Sequence, residues 1–164
     1  MVDDWTSCTG QWLCNQLSDG DKSSDLLLLD CRSADEYTSS HVAGSLLIVV
    51  PTMMLRRLRN GNVSVSAAIS PNSSSRAVFS DRCRTSHVVL YDTSGDSLGS
   101  GADSVIQVLM NGLQKDGCRV SYLLGNILRG YLDTTLLEWV RSTQYKLIPL
   151  QAVCCRYLNH AQVA

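Results

Sequence analysis

Leu26-Leu27-Leu28-Leu29-Asp30-Cys31-Arg32-Ser33-Ala34-Asp35-Glu36 is the stretch that decides the fold class. Its leucines form a short apolar run, the pattern of a strand buried on both faces. Ser33 followed three residues later by Glu36 is a capping box, which opens a helix by satisfying its first backbone N–H groups. A buried strand that runs straight into a helix is the building unit of a parallel sheet with helices on its faces.

Working outward, the same alternation recurs. Ser45 to Val50 reads as a second apolar strand, stopped by Pro51. Thr52 to Arg59 fits a helix with Met53, Met54 and Leu58 turned inward, ended by Asn60-Gly61-Asn62, where Gly61 suits a left-handed cap. Val63 to Ile69 reads as extended, Ser70 to Ser75 as a loop and Arg76 to Arg82 as a short helix. His87 to Asp92 is the clearest strand, β-branched and aromatic between polar flanks. A Gly/Ser-rich loop spans Thr93 to Asp103. Ser104 to Lys115 carries Val105, Val108, Leu109 and Leu113 at helical spacing, Asp116-Gly117 stops it, and Cys118 to Leu123 is a further strand. At the start of the chain, Trp5 to Leu17 fits an amphipathic helix. The expected class is α/β, a parallel sheet flanked by helices. The expected division is a domain over 1–124 and a divergent tail over 125–164 whose pattern fits no part of that scheme.

The chain has 164 residues, enough for a sizeable core, and a formal net charge of −1. That balance argues against nucleic acid as the partner. Seven cysteines with no Cys-x-x-Cys spacing and no histidine at ligand spacing argue against a disulfide framework or a metal site, and no cofactor is expected. The start, Met1-Val2-Asp3-Asp4-Trp5, lacks a signal peptide's basic and apolar regions. No apolar run reaches the roughly 20 residues of a membrane helix. A monomer in the cytoplasm, with access to the nucleus, is the expectation.

Against this near-neutral background one stretch is locally basic: Leu55-Arg56-Arg57-Leu58-Arg59-Asn60-Gly61-Asn62-Val63-Ser64-Val65. Charges on a helix usually form a solvated face. Here no acid lies at i,i+4 spacing to neutralise Arg56, Arg57 or Arg59. If Val63 to Val65 is extended, both valines point to one side. Such a surface fits a partner with an acidic patch beside apolar slots.

The residues Leu28-Leu29-Asp30-Cys31-Arg32-Ser33, Tyr37 and His41-Val42-Ala43-Gly44-Ser45 resemble the opening of a rhodanese-like (Cdc25-like) domain. With Leu55-Arg56-Arg57-Leu58-Arg59-Asn60-Gly61-Asn62, the sequence looks like the N-terminal kinase-binding domain of the MAP kinase phosphatases, closest to their cytoplasmic branch selective for extracellular-signal-regulated kinases. His87 to Asp92 and Gly117 to Leu123 continue the match, which runs from Trp12 to Leu124. The resemblance implies a domain that docks a MAP kinase and helps to restrain its signalling. The family's docking motif falls on Arg56, Arg57 and Arg59, followed by Val63 and Val65. The chain departs from the family at Leu47, where an Asn is usual, and at Leu124-Gly125-Asn126-Ile127, where a Gly-Gly-Phe turn is usual. The family's phosphatase signature, His-Cys-x-x-Gly-x-x-Arg, does not occur in these residues.

A small sulfurtransferase is the alternative reading. A working rhodanese carries a nucleophilic cysteine directly after the strand that ends here at Tyr91. Position 92 is Asp92, which cannot carry a persulfide. Cys31 beside Arg32 is the other candidate thiol, although packing as a small apolar side chain accounts for it, with Asp30 and Arg32 fixing the strand–helix turn. His41 reads as structural, and Ser70-Pro71 as a minimal proline-directed phosphorylation site in a loop. A third reading is a truncated product with no stable function of its own, because the pattern that would cover one sheet face breaks off after Leu124.

Overall fold

Side chains alternate across a strand, and the two faces of the central strands fill two separate cores. On β2 (Leu26–Asp30), Leu27 and Leu29 face one core while Leu26 and Leu28 face the other; on β4 (His87–Tyr91), Val88 and Leu90 oppose Val89 and Tyr91 in the same way. The computed structural model describes residues 7–19, 25–39, 41–42, 44–69, 74–92 and 104–124. Trp5, the loop segments 20–24, 70–73 and 93–103, and the tail 125–164 lie outside the described residues, so the readings placed on them remain expectations.

The sheet has five parallel strands in the order β1-β5-β4-β2-β3, where β1 is Ser7–Cys8, β3 is Leu46–Leu47 and β5 is Arg119–Leu123. The chain first builds outward from β2 to β3, then returns to the other side of β2 to lay down β4 and β5. The larger core lies on the face covered by α3 (Thr52–Arg59), α4 (Val65–Ala68), α5 (Ser74–Arg82) and α6 (Val105–Lys115). The smaller one contains Leu13 of α1 (Gly10–Ser18) and Val42, which follows α2 (Ala34–Ser39). The α/β class expected from the sequence, a parallel sheet flanked by helices, is the one observed.

The capping box holds: Ser33 Oγ accepts from the Glu36 N–H at 3.3 Å, and the Glu36 carboxylate accepts from the Ser33 N–H at 3.0 Å. Helix α3 spans the expected residues, and Gly61 sits at φ 72°. Three local expectations are corrected. The first helix begins at Gly10, capped by Thr9, and Ser7–Cys8 is instead an edge strand that pairs with Tyr122 and Leu123. The strand expected over Ser45 to Val50 keeps only Leu46 and Leu47 in the ladder, because the chain turns away toward Pro51, which starts α3. Met53 is 81% exposed rather than turned inward, since Met54, Leu55 and Leu58 occupy the side of the helix that meets the core. No helix among the described residues is long and apolar enough to cross a membrane.

Helix α6 passes close against α3 and α4 at Gly112. A Cβ there would lie 2.7 Å from Val65 Cγ2 and 3.0 Å from Leu58 Cδ1. Val65 is β-branched and short, so it cannot swing aside as a long side chain could. Gly112→Ala is therefore expected to destabilise the domain despite alanine's better helix propensity. Overpacking of this kind costs about 1–3 kcal/mol and the propensity gain returns about 1. Urea unfolding should show a lower midpoint; an unchanged or higher midpoint would mean that α3 and α4 can yield.

Candidate functional site

Among the described residues two places can carry function: the exposed side of α3 and the C-terminal end of the central strands. On α3, successive residues advance by about 100°. Leu58 is buried and Met54 and Leu55 are partly buried against the larger core, while Arg56, Arg57 and Arg59 are exposed. The helix ends in a Schellman motif: the Gly61 N–H donates to the Leu58 carbonyl at 2.9 Å and the Asn62 N–H to the Arg57 carbonyl at 3.0 Å. The arginines thus lie in the last turn, where the helix dipole favours positive charge. Among the described residues no acid pairs with Arg56 or Arg57.

The segment after the turn is not extended. Ser64 caps α4, its Oγ accepting from the Ala67 N–H at 3.2 Å, and the Asp116 carboxylate at the end of α6 accepts from the Val65 N–H at 2.9 Å. These bonds start a helix at Val65 and turn its side chain onto Leu58 and Gly112. Val65 is 0% exposed, so it belongs to the core and offers no surface to a partner. Val63 is half-buried against the same core. The extended, paired-valine surface expected from the sequence is corrected for Val65, which is helical and buried, while Val63 still lines the surface pocket. The valines' β-propensity yields here to a tertiary hydrogen bond and a helix cap.

The structure adds a cation that the sequence pattern did not single out. Lys115, exposed at the end of α6, places Nζ 3.9 Å from where a Cβ on Gly61 would stand. It borders a shallow pocket of about 240 Å³ whose other lining residues include Asn62, Val63, Ser64 and Asp116. Lys115 and Gly61 are 54 positions apart (115 − 61), so only the packing of α6 on α3 brings them together. Helix α6 ends in its own Schellman motif at Gly117, where φ is 80°.

At the other place, the ends of β2 and β4, the polar groups are consumed by one another. Asp30 is fully buried, and Arg32 forms an ion pair with it at 2.6 Å, with further bonds from Nε at 2.9 and 3.1 Å. The Tyr91 hydroxyl donates to Asp30 at 2.8 Å, lies 2.9 Å from Ser45 Oγ, and accepts from the Val42 N–H at 3.2 Å. Burial and the Asp30 charge push the Tyr91 hydroxyl's pKa well above its ordinary value. Burial, then Asp30 and Asp92, push the Cys31 thiol far up as well, and the thiol makes a weak bond to the Leu29 carbonyl at 3.9 Å. The guanidinium that could have activated it is committed to Asp30. Burial holds the Cys8 and Cys118 thiols up at about 11. His41 stacks on Tyr37 at 3.9 Å with Nδ1 2.7 Å from the Tyr37 carbonyl, a structural arrangement. Among the described residues no group of three or more His, Cys, Asp or Glu side chains could hold a metal ion.

The sequence model described as rhodanese-like domain matches residues 9–127. Dual specificity protein phosphatase 6 of Homo sapiens is 40% identical over 132 residues, which cover 79% of this chain and 34% of that protein. Dual specificity protein phosphatase 7 of Homo sapiens is 38% identical over 120 residues, with 71% and 28% covered. Dual specificity protein phosphatase Mpk3 of Drosophila melanogaster is 35% identical over 126 residues, with 70% and 30% covered. The chain spans about a third of the length of these curated relatives.

The Asp30 network makes a stability prediction. Asp30→Asn keeps the shape but removes the buried charge that the Arg32 guanidinium and the Tyr91 hydroxyl both bond to, which is expected to destabilise the domain by about 2–3 kcal/mol. Denaturant unfolding of the full chain measures it. A second substitution, Arg32→Met, should return part of the loss; a loss below about 1 kcal/mol for the single variant would mean that Arg32 reaches solvent instead.

Proposed function

The chain belongs to the rhodanese-like domain family, and from that premise we propose that it is a docking domain for a MAP kinase of the extracellular-signal-regulated type, binding through α3 and the turn that follows. The observation that carries this reading is the exposed pair Arg56 and Arg57, unmatched by any acid among the described residues and held in the last turn of a helix whose other side is anchored by buried Leu58. Arg59 lies beside them, and Lys115 adds a further positive charge across the pocket. Val63 borders this surface, while Val65 supports it from behind.

The binding mechanism follows from the side chains. Guanidinium forks make charge-assisted, often bidentate hydrogen bonds with carboxylates. A cluster of like charges steers an acidic partner at long range, and added salt weakens that attraction. Because the Schellman turn already fixes the end of the helix, little backbone entropy is lost on binding. Within a longer protein of the dual-specificity phosphatase kind, such a face would bring the phosphatase to the kinase and so oppose MAP kinase signalling. By itself the domain would compete with substrates for the kinase's docking groove.

Binding rather than sulfur transfer is the reading we favour at the strand ends too. Asp92 stands where a rhodanese needs its cysteine, and Cys31 is a half-buried thiol kept protonated by its surroundings.

Arg56→Ala combined with Arg57→Ala is expected to abolish measurable binding to an extracellular-signal-regulated kinase at physiological salt, with the thermal midpoint within a few degrees of the parent chain. Affinity of the parent should fall as salt rises. Calorimetric titration of the full chain tests both; equal affinity of parent and double variant would remove the docking assignment.

A further inference from the structure

A docking surface of charges alone would discriminate poorly, because rim charges mainly set encounter rate and buried apolar anchors hold the complex. The structure withdraws Val65 from that role by burying it completely. It offers another side chain in its place. Met53 is 81% exposed, the most exposed of the large apolar side chains among the described residues.

Its position on α3 is what gives it meaning. Met53 precedes Arg56 by three residues and Arg57 by four, the two spacings that stack side chains on one helix face. At about 100° per residue, Met53, Arg56, Arg57 and Asn60 fall within a stripe of roughly 100° whose centre lies opposite the buried Leu58. Sequence periodicity assigned Met53 inward because it is apolar. The helix turns it outward because Met54, Leu55 and Leu58 already fill the inward face. An unbranched thioether at such a position is adaptable, and it costs free energy to keep in water.

We propose that Met53 is the apolar anchor of the docking face, inserting into an apolar pocket of the kinase that lies next to the acidic patch engaged by Arg56 and Arg57. The inference rests on the docking reading above. It reverses the order of the motif: the apolar anchor precedes the arginines on the folded helix instead of following them along an extended strand. Charge complementarity selects the occupant, since a second copy of this chain would set the same arginines near one another across a symmetric contact.

The test is a titration of the full chain against an extracellular-signal-regulated kinase, with thermal unfolding run in parallel. Met53→Ala is expected to weaken binding roughly tenfold, with an unchanged thermal midpoint and an unchanged dependence on salt. Met53→Asp should weaken it further. Val65→Ala should do the opposite, lowering the thermal midpoint while leaving the affinity of the folded chain within about twofold. Met53→Ala binding as tightly as the parent would overturn the proposal while leaving the docking role of Arg56 and Arg57 standing, because that role is read separately from the arginine double variant. A parent chain that sediments as a dimer and a Met53→Ala variant that does not would also overturn it, by making the patch a self-interface.

Discussion

The helical side of this domain depends on how closely α3 and α4 approach α6, and that approach is set by the absence of a side chain at Gly112. With no Cβ in the way, Val65 and Leu58 settle directly on the backbone of α6. The contact brings the Val65 N–H within reach of the Asp116 carboxylate, which fixes where α4 begins. It also carries Lys115 to the end of α3. One close contact between helices therefore determines which residues around the Gly61 turn are buried and which meet solvent. The positive surface results from packing beneath it.

The opposite constraint governs the ends of the strands. There a buried carboxylate is balanced by a guanidinium and accepts from a phenol, and the phenol in turn reaches a serine hydroxyl. Buried ion pairs are demanding, since each partner loses its hydration. Through the Tyr91 hydroxyl, which meets Asp30, Ser45 and Val42, this one is tied to β4 and to the segment that leads into β3. The same groups hold neighbouring negative charge against Cys31 and Tyr91, which suits a rigid joint and works against a nucleophile.

What the sequence made legible was whatever is decided locally. The Ser33–Glu36 box, the limits of α3 and the left-handed Gly61 depend on residues within a turn of one another, and each was read correctly. So was the strand at His87, whose two faces are both apolar. The misreadings share a different cause. Ser7–Cys8 is a strand only because Tyr122 and Leu123 lie beside it. Val65 is helical and buried because of Asp116 and Gly112, 51 and 47 positions further on (116 − 65 and 112 − 65). Met53 is apolar, and apolarity alone does not reveal that its neighbours already fill the inward stripe. The arginines were legible as a cluster, but Lys115 could join them only in three dimensions.

The division of α3 into a buried stripe and an exposed one has a consequence for how such a domain can diversify. Leu58, with Met54 and Leu55 beside it, answers to the fold, whereas Met53, Arg56 and Arg57 make no contribution to the described core. Substitutions on the outer stripe are therefore nearly silent in folding energy and fully exposed to selection by partners. Lineages can retune the recognition face by single exchanges there, with no compensating change in the sheet. A protein engineer has the same freedom, and can treat the outer stripe as a replaceable label on a fixed support.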